Sequence, residues 1–478
     1  MKIKFNNYII TANLRLFLGL CVLHACALSF IHAQTEDVLI ISEIEVQGNT
    51  KTKARIIFRE LDFAVGDTIL AENLAATLEE NRNQVYNLGL FNEVEISSKP
   101  METAQQLHFI ITVKERWFTL FFPVFELADR NFNVWWNEYN HDFRRTKYGF
   151  YLLQKNVRGL NETFGLNVRL GYNRKINFIY DFPFIDSKKI YGLRINFGYY
   201  LDKELRVNTL QNKEVFFTLP EYTNQRLFFQ TEITRRKEVH LLQQLRLSIN
   251  KNSVVPEVLA ENPHYFSEEE TQQLYPSLRY KLSYDQRDIQ VFPTQGFLFR
   301  TTINYEGLGL SKDLNLLNTD LHFSYYKALS KRFFAAVNVK LAKQWAREIP
   351  YFNVRRLGFL SDYLRGYEYY VIEAEQFAML RTALRYKFLD VKYNFPWVKK
   401  AQFQDIPLQL FFKTSVETAR MKNRFYSEQN PFDNATLLGY GVGLEVFSFY
   451  DSVFGFEYNW NHLGEPHFAL QINLTWDY

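Results

Sequence analysis

Arg365 is the charged residue whose surroundings in the chain most clearly predict a specific interaction. It lies in Leu364-Arg365-Gly366-Tyr367, inside an irregular stretch of residues 346–377 that is flanked by two alternating segments. Connections longer than about 15 residues without secondary structure are usually functional or disordered. This one is too rich in Tyr, Phe and Leu to be disordered. We therefore expect the loop to fold against the rest of the protein.

Other residues that could do chemistry form no constellation typical of catalysis. The chain has nine histidines, and none of them stands in a Ser/His/Asp motif, a paired-carboxylate motif or a metal-ligand spacing. We predict that the protein is not an enzyme and uses neither a metal nor a cofactor. Its net charge of +4 is small and no basic cluster accompanies a nucleic-acid motif, so nucleic acid is not an expected partner.

The composition favours β-structure. The 478 residues include 45 Phe and 30 Tyr, which are common in strands. After the N-terminus no run of about 18 apolar residues occurs, which excludes a bundle of transmembrane helices. A transmembrane barrel and a large soluble β protein both fit this composition.

The first 33 residues resemble a secretory signal peptide. Lys2, Lys4 and Arg15 precede an apolar stretch, and Ala33 offers a small residue at the cleavage site. Cleavage before Cys26, as in a lipoprotein, is the alternative. Both cysteines lie in this segment, so cleavage after Ala33 leaves a chain without disulfides.

A separate α+β domain is predicted for residues 36–116. Val38–Gln47 alternates as a strand, residues 54–61 and 71–88 have helical spacing, and two alternating strands follow within residues 91–113. This β-α-α-β-β order predicts a sheet covered on one face by helices. A free edge of such a sheet can accept an extended peptide by strand addition.

Residues 117–478 predict an all-β transmembrane barrel of about 16 antiparallel strands. In residues 164–171, for example, apolar residues alternate with Gly, Asn and Arg, so one face suits lipid and the other a wet lumen. The connections alternate in length, as is typical of outer-membrane barrels. Short connections are expected near residues 157–161, 235–238, 329–332 and 449–452, and long ones near 251–274, 346–377 and 421–436.

The last segment shows the clearest alternation. Its apolar positions are Phe468, Leu470, Ile472, Leu474, Trp476 and Tyr478. No strand edge can stay unpaired in hydrocarbon, so this strand is expected to close the barrel against a first strand within residues 117–139. Pro123 near that first strand lacks a ladder donor, which is compatible with a weak edge.

A second motif lies between two predicted strands. Its first part contains Asp285, Arg287 and Asp288, and its second part contains Phe292, Pro293 and Gly296. By strand count it falls in the turn after the eighth strand. An ordinary turn with surface charges is the simpler reading of these residues.

Together these features resemble the BamA/TamA superfamily of outer-membrane barrels. Residues 36–116 are similar to its polypeptide-transport-associated (POTRA) domain, including Glu45-Val46-Gln47-Gly48-Asn49. Leu364-Arg365-Gly366-Tyr367 resembles the family's [VI]-R-G-[FY] motif, in the loop after the eleventh strand. The turn containing Asp285 resembles a periplasmic D-x-R-D and F-P-x-x-G motif. The aromatic end of the last strand resembles the family's assembly signal, although Tyr478 stands where Phe is usual.

The resemblance implies that Arg365 lies in the lumen and pairs with a carboxylate on the barrel wall. A solvated loop arginine is the alternative. The family commonly has an acidic residue and a glycine on a later strand, but Lys413 and Ser415 occupy the corresponding positions here. The candidate partners of Arg365 are therefore Glu417, Glu445 and Glu457, in that order of preference.

The resemblance also implies a function in the outer membrane, with the POTRA domain in the periplasm. The implied activity is insertion or folding of β-barrel proteins through POTRA capture and a lateral seam. Unfolded outer-membrane proteins and outer-membrane lipid are the implied partners, together with periplasmic chaperones or accessory lipoproteins. A translocator of the two-partner-secretion type is the alternative. A single POTRA domain favours an accessory or specialised assembly factor over the general one.

Overall fold

The computed structural model describes residues 38–101, 105–127, 142–358, 362–400, 403–424 and 430–472. The predicted signal peptide lies outside the described residues. So do Leu474, Trp476 and Tyr478 of the predicted C-terminal signal. No helix among the described residues is both long enough and apolar enough to cross a membrane.

The N-terminal domain is a four-stranded sheet with helices packed on it. Its strands are β1 (Val38–Gln47), β2 (Thr68–Leu70), β3 (Phe91–Pro100) and β4 (Gln106–Glu115), and its helices are α1 (Ala54–Phe58) and α2 (Leu74–Tyr86). The sheet order is β2-β1-β4-β3, with β1 and β4 parallel. The core between helices and sheet includes Ile56, Ile57, Val85, Phe91 and Ile111.

Strand β2 was not predicted. The sequence indicated only a break between the two helices at this place. Thr68, Ile69 and Leu70 pair antiparallel with the first three residues of β1. Gly66 precedes them with a φ of +97°, a backbone conformation that favours glycine and turns the chain back towards β1. Local periodicity could not predict so short a strand, because its pairing partner lies about 30 residues away.

Most of the described residues after the N-terminal domain form one 16-stranded antiparallel sheet, as predicted. Its strands in chain order are β5 (Thr119–Leu127), β6 (Thr146–Val157), β7 (Glu162–Gly171), β8 (Arg174–Phe182), β9 (Tyr191–Asp202), β12 (Asn224–Arg235), β13 (Leu241–Val254), β14 (Gln272–Asp285), β15 (Gly296–Glu306), β16 (Leu316–Ala328), β17 (Phe333–Trp345), β20 (Gln376–Asn394), β21 (Asp405–Lys422), β22 (Thr436–Ser448), β23 (Ser452–Asn461) and β24 (Pro466–Ile472).

Each strand of this sheet pairs with its neighbour in the order of the chain, so the sheet is an up-and-down meander. Large apolar side chains such as Val337 and Leu341 are exposed on one face, whereas polar residues such as Asn338 are buried on the other. Contacts between distant strands, described below, show that the polar face lines a lumen. This arrangement is the inverse of a soluble barrel and suits a lipid environment.

The two ends of the barrel differ. At the end that contacts the N-terminal domain, here called the near end, the connections are mostly short turns. At the opposite, far end the longer connections carry a hairpin of β10 (Glu204–Leu210) and β11 (Lys213–Thr218), helix α3 (Glu257–Glu261), and a short pair of β18 (Arg356–Leu357) and β19 (Ile372–Glu373). The sequence did not predict the β10–β11 hairpin.

The N-terminal domain contacts the near end through hydrogen bonds and ion pairs. Arg236, in the turn after β12, binds both carboxylate oxygens of Glu60 at 2.8 and 2.6 Å, and Glu60 is 1% exposed. Arg116 and Tyr86 both bind Asp451, in the turn after β22, at 2.7 and 2.6 Å. The buried carboxylate of Glu60 makes the first of these contacts the more costly to break.

Candidate functional site in the barrel lumen

The loop between β17 and β20 folds back into the lumen from the far end. Leu364 and Tyr367 are each 2% exposed and pack in one apolar cluster with residues of the wall, including Met379 of β20 and Leu437 of β22. This is the loop after the eleventh strand of the large sheet. Its apolar residues anchor the segment on either side of Arg365.

Arg365 lies between two carboxylates on different strands. Its Nε and Nη2 donate to the two oxygens of Glu457, on β23, at 2.5 and 3.0 Å. Its Nη1 binds Glu417, on β21, whose other oxygen accepts from the backbone N–H of Arg365 at 3.0 Å. All three residues are at least 97% buried. Such charge-assisted pairs offset the desolvation of the guanidinium.

Two glycines allow the loop backbone to approach the wall this closely. Gly366 has a φ of +81°, and a Cβ there would lie 2.5 Å from the backbone of Trp460. Gly439, on β22, pairs with Glu417 across the strands, and a Cβ there would lie 1.8 Å from the carbonyl oxygen of Arg365. The glycine that lets the loop approach the wall is therefore Gly439 on β22. The family pattern expects this glycine on β21, where Ser415 stands.

Glu445 is the candidate partner of Arg365 that the structure does not support. Its carboxylate accepts from the Nε of Arg385, on β20, at 2.6 Å, and pairs with the Nζ of Lys413, on β21, at 3.1 Å. Lys413 also binds Glu457 at 2.5 Å. The carboxylate of Glu445 is thus held by Arg385 and Lys413, and Lys413 connects it with the carboxylate of Glu457.

These buried charges form one network, here called the lumenal charge cluster. Its members are Arg365, Arg381, Arg385, Lys413, Glu417, Glu445 and Glu457. Each carboxylate is held by at least two cations, and the cluster has one more cation than carboxylates. With every carboxylate compensated, the arrangement is suited to fixing the loop in the lumen rather than to proton or group transfer.

The turn between β14 and β15 reaches the same cluster from the near end. Within it, Asp285 binds Arg287 at 2.7 Å, and Asp288 accepts from the N–H of Thr294 at 2.9 Å. Gly296 has a φ of +96° and closes the turn, because a Cβ there would lie 2.0 Å from the carbonyl oxygen of Gln286. These contacts hold the segment of Phe292 and Pro293 in place. The turn follows the eighth strand of the large sheet, at the position that the strand count predicted.

Phe292 is the residue that this turn inserts into the lumen. It is 3% exposed and packs against Phe411 and Phe447, with ring centroids 4.9 and 5.5 Å away. The guanidinium of Arg385 lies 4.5 Å from the centroid of its ring, within cation–π distance. The motif from the near end and the motif from the far end therefore meet through Arg385 and the lumenal charge cluster.

The contacts continue to the N-terminal domain. The side chain of Asn87, at the end of α2, donates to the carbonyl oxygen of Asp288 at 2.9 Å and accepts from the N–H of Gln290 at 3.0 Å. An unbroken path of contacts thus joins the far-end loop, the lumenal charge cluster, the near-end turn and α2. Sequence reasoning identified both motifs but not this connection, because no local signal marks Asn87.

At the far end, a second group of polar residues, here called the far-end polar cluster, contacts the loop between β17 and β20. Asp433, in the connection between β21 and β22, accepts from the N–H of Glu373 at 3.0 Å and from the side chain of Asn212 in the β10–β11 turn at 2.9 Å. Glu373 accepts in turn from Thr209 at 2.7 Å. Burial and then the nearby carboxylate of Glu373 raise the pKa of Asp433 to about 7.

The first and last strands are the remaining predicted element. Phe468 and Leu470 are exposed on β24, with 59% and 57% of their surfaces accessible, and Ile472 ends the described part of that strand. Phe121 and Phe125 on β5 are exposed as well. Within the described residues β5 pairs only with β6 and β24 only with β23. We call the two outer edges of β5 and β24 the seam.

Comparisons with known proteins agree with this architecture. A family model described as the Omp85 superfamily domain matches residues 156–448, and one described as a POTRA domain of the surface antigen variable number repeat type matches residues 39–116. None of the curated proteins searched matches the chain.

Two solved structures show the same fold. BamA from Haemophilus ducreyi lacking POTRA domains 1–3 is 14% identical, with a TM-score of 0.50 over 91% of this chain and 84% of that chain. CdiB from Escherichia coli is 10% identical, with a TM-score of 0.53 over 91% of this chain and 75% of that chain. The Omp85 model covers more than half of the sequence. The protein therefore belongs to the Omp85 superfamily, as an outer-membrane β-barrel whose near end and POTRA domain face the periplasm.

Proposed function

We propose that the protein inserts or folds β-barrel proteins in the outer membrane. The POTRA domain holds an extended client segment in the periplasm, and the seam offers strand edges on which client strands are added. No covalent bond is made or broken, so neither a catalytic residue nor a cofactor is required. The driving force is the burial of apolar client strands in lipid with all of their backbone groups paired.

The contrast between a filled lumen and two strand edges that have no pairing partner among the described residues carries this proposal. A polypeptide that crossed the lumen would have to separate Arg365 from Glu417 and Glu457. Breaking a buried ion pair leaves uncompensated charges and costs about 3–5 kcal/mol. Opening the seam separates no ladder among the described residues of β5 and β24. The lateral route therefore disrupts less of the protein than the lumenal route.

The composition of the seam supports the same route. Phe121 and Phe125 on β5 and Phe468 and Leu470 on β24 present apolar side chains at both edges. Pro123 lies between the two phenylalanines and has no N–H to donate to a ladder. A client strand added here would extend the existing sheet while its apolar face entered lipid.

The periplasmic entrance provides room for a client segment. A cavity of about 1400 Å³ lies between the POTRA domain and the barrel, and it is lined by residues of α2 and by near-end turns that include Phe292. Its lining carries both acidic and basic side chains, among them Glu79, Lys281 and Arg300. Such a surface suits solvated extended chains of varied sequence. Unfolded outer-membrane proteins are the proposed clients, delivered by periplasmic chaperones or accessory lipoproteins.

A two-partner-secretion translocator is the alternative function. The fold is shared with CdiB as well as with BamA, so the fold does not distinguish the two. A translocator would release the far-end loop and pass a soluble polypeptide through the lumen. The lumenal charge cluster favours assembly because it holds this loop in place.

Depletion of the protein in its host tests the proposal. Outer-membrane and secreted proteins are quantified by mass spectrometry before and after depletion. We expect a loss of several β-barrel proteins from the outer membrane and their accumulation in the periplasm. Loss of one secreted protein, with the barrels unchanged, would support the translocator instead.

A further inference from the structure

Three potential metal ligands from two domains meet where the POTRA domain contacts the barrel. Asp62 follows α1, Glu80 lies in α2, and His240 ends the turn between β12 and β13. One ligand atom from each, a carboxylate oxygen or a ring nitrogen, lies within 4.8 Å of the other two. The two carboxylates are exposed and the imidazole is partly so. A metal ion can therefore reach all three from solvent.

The imidazole of His240 is oriented as in a metal site. Its Nδ1 lies 2.8 Å from the carbonyl oxygen of Asp285, which can only accept a hydrogen bond. This contact places the proton on Nδ1 and leaves the lone pair on Nε2, which faces Glu80 at 3.9 Å. Metal-binding histidines are commonly fixed by a backbone carbonyl in this way.

The two carboxylates have no other strong cation. Among the described residues, neither Asp62 nor Glu80 forms an ion pair with a lysine or an arginine, although the POTRA–barrel contact has several such pairs elsewhere. Two carboxylates this close together repel each other, and a bound cation would remove that repulsion.

A fourth oxygen lies beside them. Gln84 follows Glu80 by one turn of α2, is 6% exposed, and donates through its Nε2 to Asp62. Its Oε1 is buried and has no hydrogen-bond partner among the described residues. A buried amide oxygen without a partner is costly, and a metal ion or a metal-bound water would satisfy it.

We propose that Asp62, Glu80 and His240 bind a divalent transition-metal ion that joins the POTRA domain to the barrel. Oxygen and imidazole ligands suit Zn²⁺, with an amide oxygen or water in the fourth position. Ligand atoms around tetrahedral Zn²⁺ are ~3.3 Å apart, so no pair of these ligand atoms has to close by more than about 1.5 Å. Bound metal would limit the movement of the POTRA domain and thereby regulate the periplasmic entrance, which goes beyond the proposed assembly function.

Titration calorimetry with ZnCl₂ tests this site, using the purified full-length protein in detergent after removal of metal with a chelator. We expect one saturable site, with affinity reduced at least tenfold in His240→Gln and in Glu80→Gln. Glu79→Gln, beside Glu80, and His264→Gln, at the far end, are the matched controls and should retain wild-type affinity. Absence of saturable binding, or equal affinity in all four variants, would overturn the proposal.

Hydrogen exchange provides a second readout that does not depend on affinity alone. With Zn²⁺ bound, amide exchange should slow in both residues 60–64 and residues 236–240, because the ion joins the two segments. The effect should disappear in His240→Gln. Slower exchange in the POTRA segment alone would show a metal held within one domain and would refute the proposed connection.

Discussion

The lumenal charge cluster and the seam are held in very different ways. Strands β20 and β21, which carry much of the cluster, have 19 and 18 residues and pair along nearly their whole length. The described parts of β5 and β24 have nine and seven residues, and within them each strand has one partner strand. Among the described strands, the sheet is therefore best supported around Arg365 and least supported at its first and last strands. The proposed function requires the lumen to stay filled while the seam opens, and this difference in support between the cluster and the seam fits that requirement.

Removal of Arg365 should produce the largest effect. Arg365→Met leaves Glu417 and Glu457 buried with fewer cations, and we expect a loss of about 3–5 kcal/mol in the free energy of unfolding. Urea unfolding in detergent, followed by the gel mobility of the folded barrel, measures this loss. Arg420→Met, an exposed position on the same strand as Glu417, should change the stability by less than about 1 kcal/mol. Equal effects in both variants would show that the buried ion pairs of Arg365 contribute no more to stability than an exposed arginine, and would contradict the special role of the lumenal charge cluster.

Gly439 tests whether the close approach of the loop is essential. A Cβ at this position meets the carbonyl oxygen of Arg365 at 1.8 Å, so Gly439→Ala should displace the loop and cost about 2–3 kcal/mol. Gly443→Ala is the comparison on the same strand, because a Cβ there would lie 3.0 Å from both the Cγ of Glu457 and the carbonyl oxygen of Phe456, a much milder approach than the 1.8 Å at Gly439. Protease sensitivity of residues 362–375 should increase only in Gly439→Ala. Similar sensitivity in the two variants would contradict the role of Gly439.

The far-end polar cluster should respond to pH. The folded-state pKa of Asp433, about 7, lies above its ordinary value of 3.8. The stability that this carboxyl contributes is therefore fully present below about pH 4 and is lost as the pH rises through about 7. Hydrogen exchange in residues 430–435 should be slower at pH 6 than at pH 8, after correction for intrinsic rates. Asp433→Asn should abolish this difference, and a difference that persists would locate the titration elsewhere.

Pro123 should produce the smallest effect. Pro123→Val adds one N–H to β5, and the pairing of this new donor should strengthen the seam by about 0.5–1.5 kcal/mol. We expect slower client assembly at nearly unchanged global stability. Pro276→Val, in β14, is the control within a strand that is paired on both sides. If assembly slows equally in both variants, the effect does not arise at the seam.

The sequence predicted most of the architecture because it depends on local patterns. Alternation and connection lengths gave the 16-stranded meander, and the motifs around Arg365 and Phe292 occupy the loop and turn predicted for them. The short strand β2 and the β10–β11 hairpin were missed. Strand β2 is too short to show alternation and depends on its pairing with β1. The β10–β11 hairpin depends on contacts at the far end that the sequence pattern does not reveal.

The partners within the lumen could not be predicted in full. Which inward-facing side chains share a level depends on the stagger between strands, and stagger is a property of the closed barrel rather than of any one strand. Glu445 faces the lumen as predicted, but it lies at the level of Arg385. The residue on β22 opposite Glu457 is Gly443, two residues before Glu445. Lys413 departs from the family pattern and yet connects the two carboxylates. Gly439, Gly441 and Gly443 alternate along β22. This spacing is the sequence feature that could have predicted a close approach of another segment to this strand.

The most direct test of the central claim is photo-crosslinking of a client during assembly. A photoreactive phenylalanine analogue is placed at Phe122 on β5 or Phe468 on β24, at Lys281 in the periplasmic cavity, and at Tyr325 on the exposed face of β16 as a control. An unfolded β-barrel protein should crosslink at both seam positions and not at Tyr325, in a protein whose lumenal charge cluster is intact. A further probe at Gln344, which faces the lumen between the cluster and the far end, should not crosslink. Crosslinks at Lys281 and Gln344 with none at the seam would show passage through the lumen and contradict the account.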